Sequence, residues 1–159
     1  MTRKEQYNQL ILQIAGLIKD ETNLVGILAN VSAALHDTFP ERFFWVGFYL
    51  QENGNMLRLG PFQGSVACYV IPFGKGVCGK AWEEGCTLIV PDVEKFPGHI
   101  ACSSLSRSEI VVPMYDDSHT FRGVLDIDST RLNDFNEDDK EGLERIIELL
   151  MAETHDLFQ

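Results

Sequence analysis

Apolar residues recur at helical spacing near both ends of the chain and at alternating spacing between them. Tyr7, Leu10, Ile11, Ile14 and Ile18 make one stripe. After the polar break from Lys19 to Thr22, a second stripe runs through Leu24, Ile27, Leu28, Val31 and Leu35. A third, Leu143, Ile146, Ile147, Leu150, Met151 and Leu157, lies near the C-terminus. These periods predict three amphipathic helices. The acidic run Glu137-Asp138-Asp139 falls in the first turn of the last one, where the helix dipole favours negative charge.

Between the helices, strand-like segments occupy about 42–50, 56–63, 67–71, 87–90, 109–116 and 122–129. Glu52-Asn53-Gly54-Asn55 and the stretch from Asp116 to His119 read as hairpin loops, which makes neighbouring strands antiparallel. A short helix over 77–84 follows the turn Gly74-Lys75-Gly76 and stops at Gly85. The pattern is that of an α+β domain over 1–159, an antiparallel sheet with the N- and C-terminal helices grouped on one face.

Strand alternation then sorts side chains. Phe44, Val46, Phe48 and Leu50 point one way, while Trp45, Gly47 and Tyr49 point the other. Leu125 and Ile127 likewise oppose Val124, Asp126 and Asp128. If the aliphatic sets face the helices, Trp45, Tyr49, Asp126 and Asp128 share the far face, and Glu109 stands level with Val111 on a neighbouring strand. Carboxylates at i and i+2 of one strand stand about 7 Å apart, a spacing that suits a cation clamp, although one-sided antiparallel sheets commonly carry such residues on a solvated outer face. Trp45 and Tyr49 fit either a ligand pocket or a second small core.

The segment 91–108 shows little periodicity and reads as a long functional loop. Cys102 sits within it among small residues, where backbone N–H groups can stabilise a thiolate. His99 is three residues upstream, but closeness in sequence is poor evidence for a Cys-His dyad. Cys68 and Cys78 read as small core residues, Cys78 with the added influence of a helix start, and Cys86 has no distinguishing feature. Zinc is not indicated, because no C-x-x-C or H-x-x-x-H spacing closes a tetrahedral site.

Composition narrows the function classes. With 45% hydrophobic and 23% charged residues the chain has the makeup of an ordered protein. A net charge of −11 repels phosphate backbones and anionic lipid, which disfavours nucleic acid and membranes as partners. No apolar run reaches the ~20 residues of a membrane span, and the N-terminus lacks the continuous apolar region of a signal peptide. The expected setting is the cytoplasm, where thiols serve redox chemistry, metal binding or packing.

Certain stretches carry a family resemblance: the run from Phe44 to Tyr49, Gly60-Pro61-Phe62-Gln63-Gly64, Cys68 with the run from Phe73 to Gly79, His99-Ile100-Ala101-Cys102, the run from Ser108 to Pro113, and the run from Leu125 to Ser129. With them the chain resembles the free methionine-(R)-sulfoxide reductases, enzymes of the GAF fold, over nearly its whole length. The resemblance implies that Cys102 is the nucleophile, that Cys68 resolves its sulfenic acid as a disulfide, and that Cys78 is an auxiliary thiol. It implies that Trp45 and Tyr49 hold the thioether end of the substrate, and that Glu109, Asp126 and Asp128 bind its ammonium and protonate the sulfoxide oxygen. It further implies no bound cofactor, thioredoxin with NADPH as the reducing system, and a homodimer. The rival expectation is a non-enzymatic GAF domain that senses a small ligand or oxidation, though the chain shows no output module for it to regulate.

Overall fold

The computed structural model describes residues 1–158. Helix α1 spans Arg3–Ile18 and α2 spans Leu24–Thr38. Strands β1 (Trp45–Glu52), β2 (Met56–Gln63) and β3 (Val70–Pro72) follow, then α3 (Gly76–Glu84) and β4 (Leu88–Val90). Strands β5 (Ser108–Tyr115) and β6 (Phe121–Ser129) precede α4 (Glu137–Thr154). The six strands form one antiparallel sheet in the order β3-β2-β1-β6-β5-β4. No helix among the described residues is long and apolar enough to cross a membrane.

The helix ends follow their local chemistry. Thr2 and Glu5 form a capping box at α1, and Asn136 and Asp139 form one at α4. Gly85 ends α3 with φ +68, a left-handed conformation that a Cβ disfavours. The final apolar stripe continues past α4 into a short 3-10 turn, His155–Leu157, so Leu157 packs on the core from outside the helix.

Helices α1, α2 and α4 cover one face of the sheet, and their stripes meet Val46, Phe48, Ile110, Leu125 and Ile127 in the main core. The opposite face carries α3 and a second cluster built on Trp45, Tyr49, Val77, Cys78, Val111 and Val124. The alternation along β1 and β6 therefore holds, with one correction. Phe44 precedes β1 and packs with the second cluster, not with the helices; the alternation rule lapses there because the strand starts at Trp45.

Two other expectations change. The segment 67–71 pairs only from Val70, so Cys68 lies in the irregular chain before β3 rather than in a strand. The long loop contains a 3-10 turn, Val93–Lys95, and Val93 N–H donates to Arg107 O at 2.9 Å. Arg107 N–H in turn donates to Ser129 O at 2.8 Å. The loop is thus clamped at its base while its tip crosses the far face of the sheet.

The acidic start of α4 does more than complement a dipole. Asp139 is fully buried and accepts from Tyr7 Oη at 2.6 Å, Arg3 Nη1 at 2.8 Å and Arg42 Nη2 at 3.0 Å. One carboxylate thereby ties α1, α4 and the chain entering β1 together.

Candidate active site

Three adjacent strands build the floor of the site. Register places Trp45 opposite Asp128 and Gly47 opposite Asp126 across β1 and β6. It places Glu109 opposite Asp128 and Val111 opposite Asp126 across β5 and β6. Since side chains alternate, Trp45, Asp126, Asp128 and Glu109 all emerge on the face away from α1, α2 and α4. Helix α3 brings buried Cys78 against this floor, and the loop tip brings His99, Ile100 and Cys102 over it. Ile100 packs on Gly76, whose φ is +61 and where a Cβ would stand 3.1 Å from the Ile100 side chain. Both backbone and space therefore call for glycine beneath the loop.

Cys102 is joined to Cys68 by a disulfide, with Cα atoms 5.5 Å apart. The aromatic residues position the Cys68 half. Tyr49 Oη donates to Cys68 O at 3.0 Å, and Trp45 Nε1 donates to Ser65 O at 3.0 Å. The Trp45 ring stacks between Phe62, at 5.1 Å, and Tyr49, at 5.8 Å. The two sequence readings of these aromatics thus merge: they belong to a second core and also line the pocket.

Two of the three carboxyl groups are remote from water, and Asp128 is half-buried. Glu109 and Asp126 are each 5% exposed. Burial pushes the Glu109 carboxyl well above the usual range, and the neighbouring Asp126 and Asp128 charges push it further. Burial, then the Asp126 charge, raises Asp128 in the same way. Asp126 is also raised by burial, but hydrogen bonds from the Glu109 carboxyl and the Cys78 thiol oppose the rise, as does His99. Glu109 and Asp128 therefore keep their protons most readily, and Asp126 carries the charge of the cluster. Burial and the Asp126 charge hold Cys78 well above a normal thiol, so it is a neutral donor here and not a resting thiolate. His99 Nε2 lies 3.9 Å from Glu109 Oε1, and burial lowers its pKa, so its imidazole is neutral near pH 7.

Every residue singled out in the sequence arrives at one place: Trp45, Tyr49, Cys78, Cys102, Glu109, Asp126 and Asp128 line the pocket, and Cys68 closes it through the disulfide. Cys86 is exposed and elsewhere. Sequence reasoning undervalued His99, which lines the pocket beside Glu109, and misplaced Phe44, which also lines it. The available signal for His99 was its position within the same aperiodic loop as Cys102.

A family model described as "GAF domain" matches residues 21–152. The chain belongs to the GAF domain family. Among curated proteins it is 56% identical over 149 residues to GAF domain-containing protein A of Dictyostelium discoideum, covering 94% of this chain and 92% of that one. It is 43% identical over 155 residues to the free methionine-R-sulfoxide reductase of Saccharomyces cerevisiae, covering 94% and 86% respectively. Among solved structures, the free methionine-R-sulfoxide reductase of Neisseria meningitidis in complex with its substrate superposes with a TM-score of 0.93. That pair shares 46% identity over 98% of this chain and 92% of the other. The GAF fold expected from the sequence, an antiparallel sheet with the N- and C-terminal helices on one face and a pocket on the other, is the fold observed.

Proposed function

We propose that this GAF-domain chain reduces free methionine-(R)-sulfoxide to methionine with its own thiols. The observation that carries the reading is the Cys68–Cys102 disulfide lying over the buried Glu109 and Asp126, the half-buried Asp128 and stacked aromatics. Relatives named for this activity support it, at 42–43% identity over nearly the whole chain.

In the reduced protein, the Cys102 thiolate attacks the sulfoxide sulfur. The oxygen takes a proton from Glu109 or Asp128, the two carboxyls that burial keeps protonated, and ends on Cys102 as a sulfenic acid while methionine leaves. Cys68 then attacks the Cys102 sulfur, expelling water and forming the disulfide. The balance is one sulfoxide and two thiols converted to one thioether, one disulfide and one water. Positioned proton donors of this kind contribute roughly 10²–10⁴-fold in rate.

Asp126 receives the substrate ammonium, since hydrogen bonds from Glu109 and Cys78 support its charge against burial. Trp45 and Tyr49, which line the pocket, hold the methyl thioether, and backbone amides of the loop take the carboxylate. A peptide-bound methionine sulfoxide has no α-ammonium, so Asp126 would stay buried without a counter-charge, a loss that can discriminate by ~10⁴-fold. The R preference follows the relatives. Thioredoxin, with NADPH behind it, returns the disulfide to dithiol by thiolate exchange.

The disulfide state itself supports a moving loop. The cavity left over the carboxyl cluster is about 40 Å³, room for only a few waters and less than an amino acid requires. Reduction frees the loop tip to lift and substrate to enter. The test follows NADPH oxidation with thioredoxin, its reductase and free R-sulfoxide, S-sulfoxide or a peptide-bound sulfoxide as substrate. Oxidation with the free R form alone supports the proposal, and equal inertness of folded, fully reduced protein to all three would defeat it.

A further inference from the structure

Cys78 of α3, Glu109 of β5 and Asp126 of β6 are all buried, and one ligand atom from each lies within 4.8 Å of the others. The donors of a tetrahedral zinc stand about 3.5 Å apart, given bonds of about 2.0–2.3 Å. Closing onto an ion therefore asks for shifts of about an ångström or less. A second feature points into the same space: Asp126 Oδ1 is buried and has no hydrogen-bond partner. Buried polar oxygens are nearly always satisfied, so Oδ1 is a spare acceptor beyond the hydrogen bonds that Asp126 takes from Glu109 and Cys78. His99 Nε2, 3.9 Å from Glu109 Oε1 but outside that cluster of three, is a nitrogen donor that can approach with the loop.

We propose that Cys78, Glu109 and Asp126, with His99 as fourth donor, form a binding site for zinc or a divalent cation of similar character. The donor set selects the class of ion. One sulfur, one imidazole nitrogen and two carboxylates suit zinc and its neighbours, whereas magnesium and calcium prefer six or more oxygens. No electrons move on binding. The Cys78 thiol and the Glu109 carboxyl release their protons to solvent, and the ion takes their place. Two protons leave as one doubly charged ion enters, so the buried charge of the cluster is unchanged.

The sequence gives no spacing signal for this site because its donors come from a helix, a loop and two strands. The binding stands on the geometry alone. Its consequence, that the ion and the substrate ammonium exclude one another at Asp126, rests on the reductase reading.

The site does not use Cys68 or Cys102, so it is present with the disulfide closed, and its test needs no turnover. In oxidised Cys86→Ser protein, Cys78 is the one remaining thiol. Titration of that protein with cobalt(II) is expected to give one equivalent bound, with a near-ultraviolet thiolate-to-cobalt absorption that zinc then abolishes. Cys78→Ser in the same background removes the absorption, and Asp126→Asn, which preserves side-chain size, weakens cobalt binding at least about tenfold. No absorption in folded Cys86→Ser protein overturns the proposal, as does unchanged cobalt affinity in folded Asp126→Asn. Cobalt binding by a protein inert toward every sulfoxide would defeat the reductase reading and uphold the metal site.

Discussion

Replacing Glu109 by Gln should make the protein more stable at neutral pH while crippling its chemistry. Glu109 is 5% exposed and stands between Asp126 and Asp128, which together with burial keep its carboxyl protonated far above the ordinary range. Below the pKa of an unfolded glutamate both states hold the proton, and the group contributes nothing to pH dependence. Above it the unfolded chain ionises while the folded chain does not, so the folded state is progressively disfavoured as pH rises. One proton gives a slope of at most about 1.4 kcal/mol per pH unit. Gln fills the same space and cannot ionise, so its advantage over Glu should grow by up to about 2.7 kcal/mol between pH 5 and pH 7. Urea unfolding of oxidised wild type and Glu109→Gln at pH 5, 6 and 7 measures the gap, and any fixed packing cost of the amide cancels from its slope. A gap that stays constant, or narrows with rising pH, would refute the assignment of a buried protonated carboxyl.

Other outcomes follow from the same geometry. The same Glu109→Gln variant, and Asp128→Asn, should each lower turnover of free methionine-(R)-sulfoxide by roughly 10²–10⁴-fold if that group donates the proton, and one of the two should do so far more than the other. Asp139→Ala leaves Arg42 buried without its main partner and should cost about 3–5 kcal/mol in urea unfolding, with little change in the chemistry of the reduced thiols. Gly47→Ala drives a Cβ into Phe62 and the chain at Pro61, and should lower stability by about 1–3 kcal/mol and disturb the Trp45 stack, seen as a change in tryptophan fluorescence. Cys86→Ser should leave turnover unchanged, because that thiol is exposed and lies outside the pocket.

Much of this site was legible because strand alternation is a strict rule. Once β1 and β6 were recognised, Val46, Phe48, Leu125 and Ile127 had to oppose Trp45, Tyr49, Asp126 and Asp128, and the structure keeps both sets. The same rule failed at Phe44, one residue before the strand begins, because it holds only where the backbone is extended and paired. Cys68 looked like part of a strand from its apolar neighbours, yet pairing starts at Val70, and the irregular chain leaves Cys68 placed for a disulfide. Asp139 was readable as a helix-start acid but not as the partner of Tyr7 and Arg42, since those contacts span 132 and 97 residues. His99 and the Cys78–Glu109–Asp126 cluster share that reason: donors gathered by tertiary folding leave no local spacing to read.

The central claim concerns Cys102 and can be tested in a single turnover without any partner protein. Fully reduced protein mixed with excess free methionine-(R)-sulfoxide should release one methionine per chain and acquire one disulfide, mapped by peptide mass to Cys68 and Cys102. Cys102→Ser should release none, while Cys68→Ser should release one and trap an oxidised Cys102. Methionine release by folded Cys102→Ser, or none from the folded, reduced wild type, would contradict the account.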